Sequence, residues 1–249
     1  MATTHQSQGS LTEAVAEPTS KRELVRVAQV AGLTVERRDR VREQALSAIP
    51  SWYSPWGHLG ATLSIGLAVL VVSILEIHRP RALEWLVLPA VFVFANWFEW
   101  RIHKYVLHRR TWPMQILYDR HTPLHHMVYV EEDMEVRTWR ELRLVLIPAA
   151  GVLTVVVVTA PFAAAIAWLW SANAGWLFLV SASLYMVTYE VFHLAYHLPK
   201  NSFIGRMSLV RVLRAHHARH HDPRLMQRYN FNVTVPLFDW LLGTIAKKQ

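Results

Sequence analysis

LVLIPAAGVLTVVVVTAPFAAAIAWLWSANAGWLFLVSASLYMVTY, residues 144–189, runs for 46 positions without one Lys, Arg, Asp, Glu or His. As a single helix it would extend about 69 Å at 1.5 Å per residue, against a hydrocarbon core about 30 Å thick. The run must therefore cross a membrane, turn and cross back. A soluble core helix would keep a polar face, and this run has none. The turn falls near Ser171-Ala172-Asn173-Ala174-Gly175, and Pro161 offers an earlier break.

Two further uncharged runs, 59–75 and 85–98, flank a turn at His78-Arg79-Pro80-Arg81. The pattern predicts four spans at about 58–77, 83–103, 143–168 and 174–197. Trp52, Tyr53 and Trp56 sit where an interfacial aromatic belt belongs. The expected fold is an all-α integral membrane protein with four transmembrane helices in two hairpins. A histidine-rich helical cap lies on the cytoplasmic side. Two regions are expected: a polar, partly disordered N-terminal region at 1–50 and a membrane di-metal domain at 51–249. The first 20 residues are polar. Residues 21–48 mix charge with Leu24, Val27, Val30, Leu33 and Val41, which suits helices on the membrane surface or an ordinary solvated helix. No apolar signal-peptide core lies near Met1, so the first span is expected to act as the insertion signal.

The net charge of +8 would suit nucleic acid, but its placement favours a membrane surface. Of 26 Lys and Arg, 24 fall in the N-terminal region, in 99–143 and after Tyr189. Only Arg79 and Arg81 lie between the first two spans. The positive-inside rule then puts both termini and the histidines on the cytoplasmic side. No nucleic-acid partner is expected.

Cysteine is absent, so disulfides, thiolate sites and cysteine-ligated iron–sulfur clusters are excluded, and any metal must use His, Asp or Glu. Eleven of the 14 histidines form four groups. These are His103-x4-His108, His121-x3-His125-His126, His193-x3-His197 and His216-His217-x2-His220-His221. Residues three or four apart share a helix face, so His121 with His125, His193 with His197, and His217 with His220 and His221 can each converge. His103 and His108 would lie about 140° apart on an α-helix. Either they reach different metals, or the helix unwinds between them. A lone histidine in such a helix is more often structural. Ten or more at ligand spacing exceed the four ligands of one structural zinc and imply two metals. All-imidazole sites suit iron, zinc, copper or nickel, not magnesium or calcium. His5, His58 and His78 are assigned to tail or interface. Glu99, Asp119 and Glu190 lie within four residues of cluster histidines. They either orient imidazoles or simply end spans at the headgroups.

On these groups in their order, the sequence resembles the fatty acid hydroxylase superfamily of sphingolipid fatty-acid hydroxylases, sterol oxidases and desaturases, and carotenoid hydroxylases. Arg143-Leu144-Val145 at the third span adds to the likeness. So does the tail from Arg214-Ala215-His216-His217-Ala218-Arg219-His220-His221 to Thr234-Val235-Pro236-Leu237-Phe238-Asp239-Trp240-Leu241-Leu242-Gly243-Thr244. The likeness covers about 60–245. The second group departs from the family pattern, with three intervening residues where two are common. The resemblance implies a di-iron oxygenase that uses O2 and external electrons to hydroxylate, ahead of desaturating, a C–H bond of a fatty acyl, sphingolipid, sterol or carotenoid substrate. It implies metal ligands at His103, His108, His121, His125, His126, His193, His197, His217, His220 and His221, with His216 as a further candidate. It also implies two irons as the cofactor, with zinc able to replace them in purified protein. No heme or flavin segment is visible, so a separate reductase or a heme or iron–sulfur carrier is expected as electron donor. The competing classes are a membrane zinc hydrolase, which lacks its His-Glu-x-x-His motif here, and a metal-binding or transport protein, which would favour ionisable residues inside the spans.

Overall fold

The structure, a computed structural model, describes residues 35–247. The polar tail, and the part of 21–48 that precedes residue 35, lie outside the described residues. Six longer helices carry the fold: α1 Val35–Ser47, α2 Pro55–Leu75, α3 Val87–Ile102, α4 Ala149–Leu169, α5 Ala172–His197 and α6 Ser208–His220. Among the described residues there is no strand, only an isolated bridge between Val130 and Asp133.

Four helical stretches are long and apolar enough to cross a membrane: Pro55–Leu75, Ala82–Leu107, Trp139–Leu169 and Ala172–His197. The chain is an integral membrane protein. Val71, Val72, Leu75, Phe94, Val157, Phe162 and Trp168 are exposed on these stretches, as lipid-facing side chains are. Ser54 starts α2 by accepting the Gly57 N–H at 3.1 Å, with Pro55 in the first turn. Ser171 starts α5 by accepting the Ala174 N–H at 3.1 Å. α5 is the inner helix, packed on α2, α3 and α4. Glycines let it approach. A Cβ at Gly175 would lie 2.7 Å from the Ala163 carbonyl oxygen of α4. One at Gly66 of α2 would lie 2.7 Å from the Val187 side chain.

The turns between spans meet at one end of the bundle. The Asn173 side chain bonds both the N–H and the carbonyl of His78, and Ser171 donates to buried Glu84 at 2.7 Å. α3 and α5 lead away from that end to His103 and His197. α4 runs unbroken through Pro161, so that proline does not end the third span. The break comes earlier, at Leu146, where the backbone turns extended before Pro148.

Candidate metal centre

At the end of α3 the helix widens into a π turn, His103–Leu107, in which the His108 N–H donates to the His103 carbonyl at 3.2 Å. The extra residue per turn brings positions five apart onto one face. The two rings stack with centroids 5.1 Å apart and planes 12° apart. A second π turn, His121–His125, bonds the His126 N–H to the His121 carbonyl. It pairs His121 with His126 and turns His125 the other way. The expectation that His121 and His125 converge is thus corrected. His220, expected beside His217 and His221, likewise joins the opposite group.

Two groups result. His103, His108, His121, His126 and His220 each offer a nitrogen, all within 4.8 Å of one another. His125, His197, His217 and His221 do the same. His193 stands at the edge of the second group, its Nε2 3.2 Å from His125 Nε2. The groups adjoin, for His126 and His221 stack with centroids 4.1 Å apart. All ten of these histidines are buried. His216 belongs to neither group, because its Nε2 faces the Asp239 carboxylate at 3.0 Å. His58 is engaged elsewhere, its Nε2 on the Ile147 carbonyl at 3.2 Å. His5 lies outside the described residues.

Hydrogen bonding fixes which nitrogen carries the proton in six of these rings. Nδ1 faces a backbone carbonyl in His125 (Leu144, 3.0 Å), His197 (Met134, 2.7 Å), His220 (Tyr229, 3.0 Å) and His221 (Tyr129, 2.7 Å). His103 Nδ1 makes the same contact with Phe231. A carbonyl only accepts, so these Nδ1 atoms are protonated and the Nε2 lone pairs point inward. Thr122 gives its hydroxyl proton to the Leu107 carbonyl at 2.6 Å, so it accepts from His108 Nδ1 at 3.1 Å. His108 Nε2 and His220 Nε2 then face each other at 2.9 Å with no proton between them. Two lone pairs at that distance repel unless a cation lies among them. His126 Nδ1, His197 Nε2 and His217 Nδ1 are buried without a hydrogen-bond partner. The residues fit a pair of cations.

Burial also keeps the rings neutral. Desolvation, followed by the neighbouring imidazoles, holds His108, His121, His126 and His217 well below the usual histidine range. His125 and His221 are lowered the same way. His220 is brought down to about 4, chiefly by burial. Neutral imidazole is the form that binds metal. No carboxylate belongs to either group, so the donor set is all nitrogen and suits iron, zinc, copper or nickel.

Backbone carbonyls, not the acidic residues singled out in the sequence, hold the rings. Glu99 accepts from Tyr185, from the Val233 N–H, and from the Thr234 hydroxyl at 2.7 Å. Asp119 pairs with Arg110 at 3.2 Å. Glu190 accepts the Ile147 N–H at 3.1 Å. None touches an imidazole. Glu99 and Glu190 act one step back, on the segments that supply the carbonyls. Glu99, and Asn96 through Val235 at 2.8 Å, pin the C-terminal segment that delivers Tyr229 and Phe231. Glu190, with Thr62 on the Ile147 carbonyl at 3.0 Å, holds the helix break. Pro148 has no N–H, which frees the Leu144 carbonyl for His125. Segment 128–136 supplies Tyr129 and Met134. Arg42 of α1 secures it through the Val128 carbonyl at 3.3 Å, the Glu135 carbonyl at 3.0 Å and the Glu141 carboxylate at 2.9 Å. Sequence reasoning missed these supports because backbone acceptors leave no residue-type signature.

A solved structure of full-length Scs7p, in which only the hydroxylase domain is visible, superposes on this chain with a TM-score of 0.51. The match covers 78% of this chain and 67% of that one at 20% sequence identity, and it shows that the two share a fold. No family model and no curated protein sequence matches the chain.

Proposed function

We propose that the chain is a membrane-bound di-iron hydroxylase that converts a C–H bond of a lipid to an alcohol. The observation that carries this reading is the pair of buried all-histidine groups, with Nε2 lone pairs of His108 and His220 facing at 2.9 Å. The hydroxylase domain of Scs7p, which shares the fold, supports it. His103, His108, His121, His126 and His220 would hold one ion. His125, His197, His217 and His221, with His193 beside them, would hold the other. Iron bound there supplies O2 binding and the oxidising power to break an unactivated C–H bond. Overall, one C–H and one O2 with two electrons and two protons give C–OH and water. The electrons come from a separate reductase or a heme or iron–sulfur carrier.

The chain's own residues orient and exclude. Carbonyls of Tyr129, Met134, Leu144, Tyr229 and Phe231 fix five rings in the inward-facing tautomer. Full burial keeps bulk water off them. A lipid tail reaches the groups along the spans, because His103 and His197 end two of the membrane helices.

Metal analysis of purified protein, with oxygen consumption and lipid analysis of cells that express it, tests this. About two ions per chain and an oxidised lipid dependent on the protein are expected, with zinc able to occupy part of the sites. Near one ion per chain in active protein would overturn it. For sidedness, 24 of 26 basic residues put both termini and the metal centre in the cytoplasm. Cysteines introduced as Ser10→Cys and Lys248→Cys should escape an impermeant thiol reagent added to intact cells. Labelling of either from outside refutes that topology.

A further inference from the structure

Three half-buried arginines meet beside Tyr53, where the first and third spans begin. Arg120, Arg140 and Arg143 all act electrostatically on its phenol, and Arg143 acts on Arg120. Among the described residues, none of the three forms an ion pair. Their hydrogen bonds go to backbone: Arg120 to the Arg143 carbonyl at 3.2 Å, and Arg140 to the Ile49 and Pro50 carbonyls at 3.0 Å. Acidic neighbours turn away, Asp119 to Arg110 and Glu141 to Arg42. Tyr53 donates to His58 Nδ1 at 2.8 Å, because the other nitrogen of His58 gives its proton to the Ile147 carbonyl. The phenol thus offers no negative charge, and burial pushes its pKa up to about 12. Like charges brought together and partly desolvated are unfavourable without a counter-ion.

The location indicates where that counter-ion comes from. Trp56 and Trp139 pack at 4.9 Å beside the site and, with Trp52, stay exposed as an interfacial belt does. Trp139 and Pro55 begin their membrane stretches here. Exposed tryptophans at the start of membrane stretches mark headgroup depth. We propose that Arg120, Arg140 and Arg143 form a binding site for the phosphate headgroup of one membrane lipid. Guanidinium forks match such oxygens in pairs. The site uses none of the histidines of the two groups.

The full-length protein, reconstituted with phosphatidylcholine and phosphatidic acid, is stripped stepwise in neutral detergent. Native mass spectrometry then counts the retained lipid, and metal content is read on the same sample. Wild-type protein should keep phosphatidic acid in preference to phosphatidylcholine, whether or not metal is present. Arg143→Gln should weaken retention about tenfold, the loss of one charge-assisted contact. Arg211→Gln, an exposed change on α6, should leave it unchanged. Arg120 also supports the Arg143 carbonyl, so Arg143→Gln is the primary variant and its thermal melt is compared with wild type. No headgroup preference in the wild type, which needs no variant, overturns the proposal. So does equal loss in Arg211→Gln, which marks diffuse surface charge. Displacement of the lipid by inorganic phosphate also overturns it, because the site would then take a soluble anion.

Discussion

His216 and His217 are neighbours in the chain with opposite surroundings. His217 is fully buried in the second group, its Nε2 3.1 Å from His221 Nε2. His216 turns away from both groups to the buried Asp239 carboxylate. Asp239 itself accepts the Phe231 N–H at 2.9 Å and the Asn232 N–H at 2.7 Å, so it keeps its fold role without His216. His217→Ala should therefore lower metal content and cut lipid oxidation by more than about a hundredfold, since even residues one step behind a metal ligand are worth 10–100-fold. His216→Ala should cost about 1 kcal/mol of stability, the worth of one hydrogen bond, and leave metal content near wild type. The comparison is made at matched expression by metal quantification and product analysis. Equal effects of the two changes would remove the distinction drawn between them.

Among the elements, the spans were legible because hydrocarbon leaves few options for a chain. Expected spans at 58–77, 83–103, 143–168 and 174–197 stand beside Pro55–Leu75, Ala82–Leu107, Trp139–Leu169 and Ala172–His197. The ends differ where caps such as Ser54 and Ser171 decide them. The histidine groups were legible as groups, but their partition was not. An α-helical reading places five-residue neighbours apart, and the π turns at His103 and His121 place them together. The His-x4-His spacing was the one available signal, and unwinding was one of its two readings. The position of the helix break was likewise hidden, since both Pro148 and Pro161 lie in the apolar run. A break is tolerated where polar side chains satisfy the freed backbone. Glu190, His58 and Thr62 do so around Ile147, whereas α4 stays helical through Pro161. Those partners lie 43 to 89 residues away in sequence, beyond any local pattern.

Over the whole molecule, the two histidine groups are held from both ends of the described chain. The C-terminal segment brings carbonyls to His103 and His220, and α1 secures the segment that serves His197 and His221. We propose that α1 belongs functionally with the metal-binding cap, although its sequence reads as a membrane-surface helix or an ordinary solvated one. Arg42 is 3% exposed, and its partner Glu141 is fully buried. Removing one member of such a pair strands a buried charge, at a cost of about 3–5 kcal/mol, while replacing both with apolar residues is often neutral. Arg42→Leu alone leaves Glu141 unpaired beside Tyr129, whose hydroxyl donates to it at 3.0 Å and whose carbonyl orients His221. The ion at His125, His197, His217 and His221 should be lost first, while the other group keeps the carbonyls of Tyr229 and Phe231. Metal content of Arg42→Leu is expected to fall from about two ions per chain toward about one, with a lowered melting temperature. Arg42→Leu combined with Glu141→Leu removes the stranded charge but restores neither the Arg42 bonds to the Val128 and Glu135 carbonyls nor the acceptor of the Tyr129 hydroxyl, so metal content should stay low. If Arg42→Leu retains wild-type metal content, α1 has no part in shaping the second group.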